Sequence, residues 1–289
     1  QLAKSESAGA KARGESLRAL AELKDPALAG LLEMAGSSRE ETLRKDATAL
    51  LVKVNSRAGM ERLVRNLESG AFGEKQAALV ALGTIPEAAA NQIVAAWLDK
   101  LLAGKIEPGL QLELLEAAGQ RNAPDVQAKR KQFEESRPQT PIGKHVECLA
   151  GGNAAEGRKI FRERPEASCV RCHRAGGEGG EAGPALDRAE ANRNRDYLLE
   201  SIVAPNQIIT PGFETVIVRL RSGGAVAGTV RSETDMELVL NSPEDGVVTL
   251  AKKDIESRER GLSGMPEGLG DLLSKRDLRD LVEFLATLK

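Results

Sequence analysis

Apolar and polar positions follow a helical period through the first part of the chain. Six stretches place apolar side chains at positions i, i+3, i+4 and i+7, which puts them on one face of a helix. The predicted helices are 16–29, 39–55, 59–68, 74–82, 87–102 and 110–118. Glycine or proline interrupts the pattern between them. We therefore expect this region to be all-helical.

A repeat runs through these helices. Pairs of small or apolar residues that begin at Ala19, Ala49, Ala81 and Ala117 recur at intervals of 30, 32 and 36 positions. Each pair precedes a break and a second apolar helix, a pattern that resembles helix-pair repeats of the HEAT and armadillo kind. We therefore predict a HEAT/armadillo-like α-solenoid over residues 1–136, and an irregular helical domain is the alternative.

After this region the periodic pattern lapses. Residues 129–137 form a charged helical stretch, and two prolines predict an extended linker over 137–148. A capping box that begins at Asn153 then starts a helix, which is expected to run to about Arg162. A further helix is expected over 196–204.

The period changes to two between residues 206 and 261. Alternating apolar and polar residues predict four strands joined by short turns: 214–220, 225–233, 236–242 and 247–255. Their cadence resembles Sm-like and SH3-like barrels, so a small β-barrel is predicted here. A capping box at Ser274 then starts an amphipathic C-terminal helix.

The composition is that of a globular chain with little net charge. Its 289 residues carry 41 Lys and Arg against 43 Asp and Glu, and 41% of them are hydrophobic. This balance gives no basic field for nucleic acid, and 2% aromatic residues exclude aromatic-platform binding of single strands. No apolar run approaches the ~20 residues of a transmembrane helix, so no membrane span is expected. The chain begins at Gln1 without a signal-like segment, which favours a mature protein or an excised fragment.

The sequence Cys169-Val-Arg-Cys172-His173 carries the strongest chemical signal. Two thiols three positions apart on a tight turn can reach both vinyl groups along one edge of a porphyrin, and the next side chain can ligate the iron. A redox dithiol or half of a zinc site would use the same cysteines. The dithiol lacks a thioredoxin-like context, and zinc would have only His145 and Cys148 as further ligands. Covalent haem attachment is therefore favoured, and Cys148 is expected to be an apolar filler or, alternatively, a dimer bridge.

The surroundings of this motif resemble class I cytochrome c. Gly157 and Phe161 precede it, as a glycine and an aromatic residue do on the first helix of that family, and a glycine-rich loop ending in Gly183-Pro184-Ala-Leu186 follows it. The resemblance implies one covalent haem c, with Phe161 and Leu186 in the haem-binding set. It also implies that the Pro184 carbonyl accepts a hydrogen bond from the iron ligand His173.

The resemblance calls for a sixth iron ligand. Met265 lies in a loop ahead of the terminal helix, which is the class I arrangement, and is favoured. His145 or an open position is the alternative. Met34 and Met60 lie in the predicted all-helical region and Met236 lies in a predicted strand, so all three are expected to fill the core.

The two ligands are separated by 92 positions, more than in the smallest cytochromes of this class. Removing the β-rich insertion 206–261 leaves 149–205 and 262–289, which together make 85 residues, a plausible minimal cytochrome. In the class I fold the first and last helices cross, so Gly157 and Phe161 are expected to meet Phe284.

Residues 149–289 as a whole resemble the haem-binding domain of the Pirellula/Verrucomicrobium type. The motifs that carry this resemblance occur in order: Cys169–His173, Gly183–Leu186, Asp196–Ile202, Pro211–Thr215, Asp254–Ser257 and Met265–Leu269. Members of this family are commonly C-terminal modules of large exported bacterial proteins, after helical repeats and often after a propeller similar to sugar dehydrogenases. By analogy, Gln1 is expected to lie downstream of such a domain.

The family resemblance implies a periplasmic or otherwise exported cytochrome. It would pass electrons from a fused or partner dehydrogenase to a downstream acceptor and would not be an enzyme itself. The alternative is a haem enzyme or gas sensor with an open sixth position. The sequence sets no oligomeric state.

Five further side chains have two interpretations each. Arg174, Arg193 and Arg195 are candidate partners of the haem propionates, although arginines beside a loop are usually solvated. Tyr197 and Trp97 are candidate electron relays, although single aromatic residues on helices more often belong to the core.

Overall fold

The chain folds as two units, residues 1–136 and residues 137–289. The computed structural model describes residues 2–5, 8–187, 194–242 and 244–288. Helices predominate, and the second unit adds a five-stranded sheet. No helix within the described ranges has the length and the apolar character that crossing a membrane requires.

The first unit is built from helices that end near glycine, proline and polar turn residues. In the described residues they are α1 (Ala10–Glu22), α2 (Leu28–Gly36), α3 (Glu41–Val54), α4 (Ser56–Ser69), α5 (Phe72–Thr84), α6 (Ala88–Leu102), α7 (Gln111–Gly119) and α8 (Pro124–Glu135). The single helix predicted over 16–29 is wrong, because the chain turns at Asp25 and Pro26 and forms two helices. The charged helix expected from residue 129 begins at Pro124, since proline is compatible with the first helical turn.

Successive odd-numbered helices of the first unit pack on one another. α1 contacts α3, α3 contacts α5, and α5 contacts α7, while α6 contacts α8. Ion pairs join side chains that lie 28 to 32 positions apart: Arg18–Asp46, Arg44–Glu74, Arg62–Glu33, Lys75–Glu107 and Lys129–Asp99. These contacts therefore recur at nearly the interval that separates the repeated residue pairs in the sequence.

The second unit mixes helices and strands. In the described residues its helices are α9 (Ala154–Glu163), α10 (Cys169–Cys172), α11 (Arg195–Val203), α12 (Leu269–Leu272) and α13 (Lys275–Thr287). Its strands are β1 (Arg174–Ala175), β2 (Glu178–Gly179), β3 (Glu214–Leu220), β4 (Ala225–Glu233), β5 (Glu237–Ser242), β6 (Gly246–Ala251) and β7 (Ile255–Ser263). Asn153 caps α9 by accepting two amide hydrogen bonds, and Ser274 forms a capping box with Asp277 at the start of α13.

Residues 137–148 differ from the extended linker that the sequence predicted. Gly143–Cys148 form a 3-10 helix that packs on α13. The Glu147 carboxylate in this segment is 1% exposed, and it pairs with Arg137 at 2.6 Å and with Lys275 at 2.5 Å. A buried carboxylate needs such partners. The segment is therefore part of the second unit.

α9 and α13 cross at a glycine. A side chain at Gly157 would lie 2.7 Å from Phe284 Cβ and would also meet the Asp280 carbonyl oxygen. One turn later, the Phe161 ring packs on Phe284 with centroids 5.6 Å apart and planes tilted by 56°. The expected contact between the first and last helices of the domain is therefore confirmed.

Strands β3 to β7 form an antiparallel sheet in the order β6-β5-β4-β3-β7. β3 and β4 match their predicted ranges, whereas the single strand predicted over 247–255 is wrong. A 3-10 turn at Lys252–Asp254 separates β6 from β7, which continues to Ser263 and so extends the insertion beyond residue 261. In the described residues the edge strands share no ladder, so closure into a barrel stays a prediction.

We expect Gly157→Ala to lower the thermal stability of the second unit, because the added methyl group overlaps Phe284 and Asp280. Overpacking of this kind costs about 1–3 kcal/mol. The matched control is Gly30→Ala in α2, where a methyl group meets no atom within 4 Å and alanine favours the helix. Thermal denaturation followed by circular dichroism should show a lower transition temperature for G157A alone. A G157A transition equal to that of the unaltered chain would contradict the close crossing.

Candidate cofactor site

The two cysteines of the CxxCH motif lie on the single turn of α10. Ser168, the residue before α10, has a left-handed backbone with φ of 46°. It connects the loop after α9 to α10. Cys169 is half-buried, and burial raises the pKa of its thiol to about 11, whereas Cys172 is exposed. Both cysteines and the following His173 line one cavity.

The imidazole of His173 is oriented by a hydrogen bond to a backbone carbonyl group. Its Nδ1 lies 2.9 Å from the Pro184 carbonyl oxygen, which is the contact that the resemblance implied. A hydrogen bond donated by Nδ1–H leaves the lone pair on Nε2, the nitrogen that can then bind a metal. The ring rests on Gly183, where a Cβ would lie 2.6 Å from Cε1. Only glycine at position 183 therefore leaves room for the His173 ring.

Backbone hydrogen bonds fold the glycine-rich loop around the histidine. Gly183 N donates to Cys172 O at 2.8 Å, and Leu186 N donates to Arg174 O at 2.7 Å. The Asp187 carboxylate accepts from the amides of Gly176 and Gly177, which form the turn of the β1–β2 hairpin. The glycine-rich sequence predicts a loop here, so the hairpin was not expected.

The cavity has a volume of about 410 Å³, and its lining is mostly apolar. Its walls come from α9, α10, the glycine-rich loop, α11, the sheet, the loop around Met265 and α13. The predicted site residues all lie in this wall: Phe161, Cys169, Cys172, His173, Pro184, Leu186 and Met265. None of the described residues in the wall is Asp, Glu, Lys or Arg.

Met265 is half-buried and is held by residues at both ends of the β-rich insertion. Its amide donates to Ser263 Oγ at 3.1 Å. Asn206, where the insertion begins, accepts from the Ser263 amide at 2.7 Å and donates to the Glu267 carboxylate. Asn206 therefore spans the loop on both sides of Met265. Asn206 could not be identified from the sequence, because nothing in the local pattern relates positions 206 and 263.

The other candidate ligands lie elsewhere. His145 is on the 3-10 helix Gly143–Cys148 and is not part of the cavity wall, and burial lowers its pKa. Met60 packs against the core of the first unit. The prediction that Met34 and Met236 fill the core is wrong, because their side chains are 53% and 75% exposed.

The two described arginines considered for propionates are paired with carboxylates of the protein. Arg174 lies 3.4 Å from Asp187, and Arg195 makes a two-pronged pair with Glu283 at 2.8 and 2.9 Å. Arg193 lies outside the described residues.

The two candidate relay aromatics have different surroundings. Tyr197 lines the cavity, and its hydroxyl lies 3.0 Å from Thr210 Oγ1. Trp97 packs against the core of the first unit, with the Lys100 ammonium 4.5 Å from its ring centroid. Only Tyr197 is therefore placed at the cavity.

The residues present fit a covalently held haem. Ligand cavities of about 300–1,000 Å³ with apolar walls and a few polar groups are typical of cofactor sites. The wall contains two thiols for thioether bonds, an imidazole seated on Gly183, and a thioether sulfur at Met265. His173 and Met265 would hold the iron, and Cys169 and Cys172 would hold the porphyrin edge.

A comparison with known families agrees with this chemistry. Residues 154–237 match the family model described as Cytochrome c. The match covers less than a third of the chain, includes α9, both motif cysteines and His173, and ends before Met265 and α13. The chain has no match among curated proteins. Residues 154–237 are therefore similar to cytochrome c, a family whose members hold haem c covalently and transfer electrons.

Proposed function

We propose that the second unit is a single-haem electron-transfer module with one iron held by His173 and Met265. Cys169 and Cys172 form the thioether bonds, and Phe161, Pro184 and Leu186 complete the haem-binding set. The bound haem supplies the one-electron redox couple. The observation that carries the proposal is that one apolar cavity is lined by both thiols, the imidazole and the methionine.

The side chains of the cavity have separate tasks in this proposal. The Pro184 carbonyl keeps the His173 proton on Nδ1, so that the Nε2 lone pair would be available to iron, and increases the basicity of the ring. Apolar side chains from α9, α11 and α13 exclude water and lower the local dielectric. Methionine ligation favours ferrous iron and raises the reduction potential, which suits a centre that accepts electrons from a dehydrogenase.

A haem enzyme or gas sensor is the second candidate function. Either would need the sixth position free, and a peroxidase would also need an acid–base group beside it. Beyond the motif residues, the titratable group in the described cavity wall is Tyr197, and His145 lies outside the wall. This arrangement favours electron transfer over enzyme chemistry.

We propose that residues 1–136 form a HEAT-like stack that docks a redox partner or an upstream dehydrogenase domain. The recurring ion pairs between helices one repeat apart support a regular stack. We further propose that the protein is periplasmic or otherwise exported, because covalent haem attachment takes place outside the cytoplasm of bacteria.

Met265→Ala is expected to remove the sixth ligand. The ferric protein should lose the weak red-region absorption band of thioether ligation and become high-spin, and the ferrous protein should gain the ability to bind carbon monoxide. Met236→Ala, which changes a 75% exposed methionine of the same unit, is the control and should behave as the unaltered protein. A high-spin spectrum in the unaltered protein would favour the enzyme or sensor instead.

Counting reactive thiols separates bound from unbound cysteines. With Cys169 and Cys172 in thioether bonds, only Cys148 keeps a thiol. Burial raises the pKa of the Cys148 thiol to about 12, so the reactive thiolate is scarce at pH 8. A thiol reagent should label no cysteine in the native protein at pH 8 and one after denaturation. Three labelled cysteines in the denatured chain would rule out thioether attachment.

Asn206→Ala is expected to weaken the Met265–iron bond, because it frees the loop on both sides of the methionine. A loss of about 1.4 kcal/mol, within the range for one or two hydrogen bonds, raises the apparent cyanide affinity of the ferric protein about tenfold. Asn55→Ala removes an asparagine–amide bond at the start of α4, in the first unit, and is the matched control. Equal cyanide affinities in the two variants would show that Asn206 does not support Met265.

A further inference from the structure

Three polar side chains form a row across the sheet of the insertion. Thr215 on β3 is the register partner of Thr229 on β4, and Thr229 is in turn the partner of Asn241 on β5. Residues in register on adjacent strands point to the same face of a sheet. The row therefore crosses three strands on one face.

This face is the one opposite the apolar core of the sheet. The neighbouring positions Val216, Val230 and Leu240 pack in that core, and side chains alternate between faces along a strand. Thr215, Thr229 and Asn241 instead line the cavity that contains His173 and Met265. The insertion thus contributes a polar strip to a cavity whose other walls are mostly apolar.

Two members of the row have unused hydrogen-bonding groups. Thr215 Oγ1 donates to the Leu262 carbonyl oxygen and is committed to the backbone. Within the described residues, the side chains of Thr229 and Asn241 make no hydrogen bond to another protein group, although both are half-buried. A half-buried hydroxyl and a half-buried amide that line a cavity can donate hydrogen bonds to a ligand bound there.

A haem brings such acceptors with it. Its two propionate carboxylates must be hydrogen-bonded wherever they are taken out of water. The described cavity wall contains no Lys or Arg, and Arg174 and Arg195 are paired with Asp187 and Glu283. Neutral hydroxyl and amide donors are therefore the groups that the described wall offers to a carboxylate.

We propose that the row formed by Thr215, Thr229 and Asn241 is the propionate-binding wall of the haem site, with Thr229 and Asn241 donating to a propionate carboxylate. This proposal rests on the proposed function, because it requires haem in the cavity. It gives the β-rich insertion a role in cofactor binding.

The double variant Thr229→Val/Asn241→Leu tests the hydrogen bonds, since both changes keep the side-chain size. In the purified haem-loaded protein, the propionate bending bands of the resonance Raman spectrum should shift toward weaker hydrogen bonding. The midpoint potential should fall, because the donors no longer offset the negative charge beside the iron. Thr249→Val, an exposed threonine on the same face at β6, is the matched control and should change neither.

A charge at the row gives a second, independent test. Asn241→Asp places a carboxylate toward the propionates and should lower the midpoint potential further than the double variant does. Thr249→Asp adds the same charge at an exposed position, where solvent screens it, and should have a smaller effect. If the double variant Thr229→Val/Asn241→Leu does not fold, the resonance Raman measurement is made on the single variant Thr229→Val.

The outcomes separate the two proposals. If haem stays bound to the denatured chain but the Raman bands and potentials of the row variants equal those of their Thr249 controls, the propionate wall is wrong and the electron-transfer proposal stands. If the denatured chain of the unaltered protein retains no haem colour, both proposals fail.

Discussion

The crossing of α9 and α13 at Gly157 is the contact on which the second unit depends. It joins residues at opposite ends of the unit and is supported by the hydrogen bond from Asn153 N to Asp280 Oδ1 at 2.8 Å. Only glycine allows the two backbones to approach so closely, since any Cβ would overlap the Asp280 carbonyl. With the two helices locked together, Phe161 from one and Leu281 from the other reach the same cavity.

The β-rich insertion can be accommodated because its two ends meet. Asn206 lies at the start of the insertion and binds the amide of Ser263 at its end, so the chain leaves and re-enters the helical framework at nearly one point. Met265, the candidate iron ligand, follows two residues after Ser263. The same hydrogen bonds that close the insertion therefore position this ligand. On this account the sheet completes the cavity as a wall and is more than a passive addition.

Much of the fold could be predicted from the sequence where the local pattern decides it. Periodicity predicted β3 and β4 to the residue, and capping residues predicted the starts of α9 and α13 to within one position. Local pattern failed where tertiary contacts decide the outcome. The segment 137–148 reads as a proline-containing linker, yet the ion pairs of Glu147 fasten it to α13. Met236 continues an alternation of apolar residues but lies just before β5 and is exposed.

The candidate site likewise combines features set by the local sequence with contacts between distant positions. The CxxCH spacing and the Gly183-Pro184 turn are local, so the sequence pointed to His173 and its partner directly. Asn206 and the polar row are assembled from positions 12 to 61 residues apart, which no single-sequence pattern relates. The central claim is that Cys169 and Cys172 bind a porphyrin through thioether bonds. The intact mass of the denatured chain, produced in a host that matures c-type cytochromes, tests it most directly. The account predicts the polypeptide mass plus one haem, reduced to the bare polypeptide when both cysteines are replaced by serine. A bare polypeptide mass for the unaltered chain would contradict it.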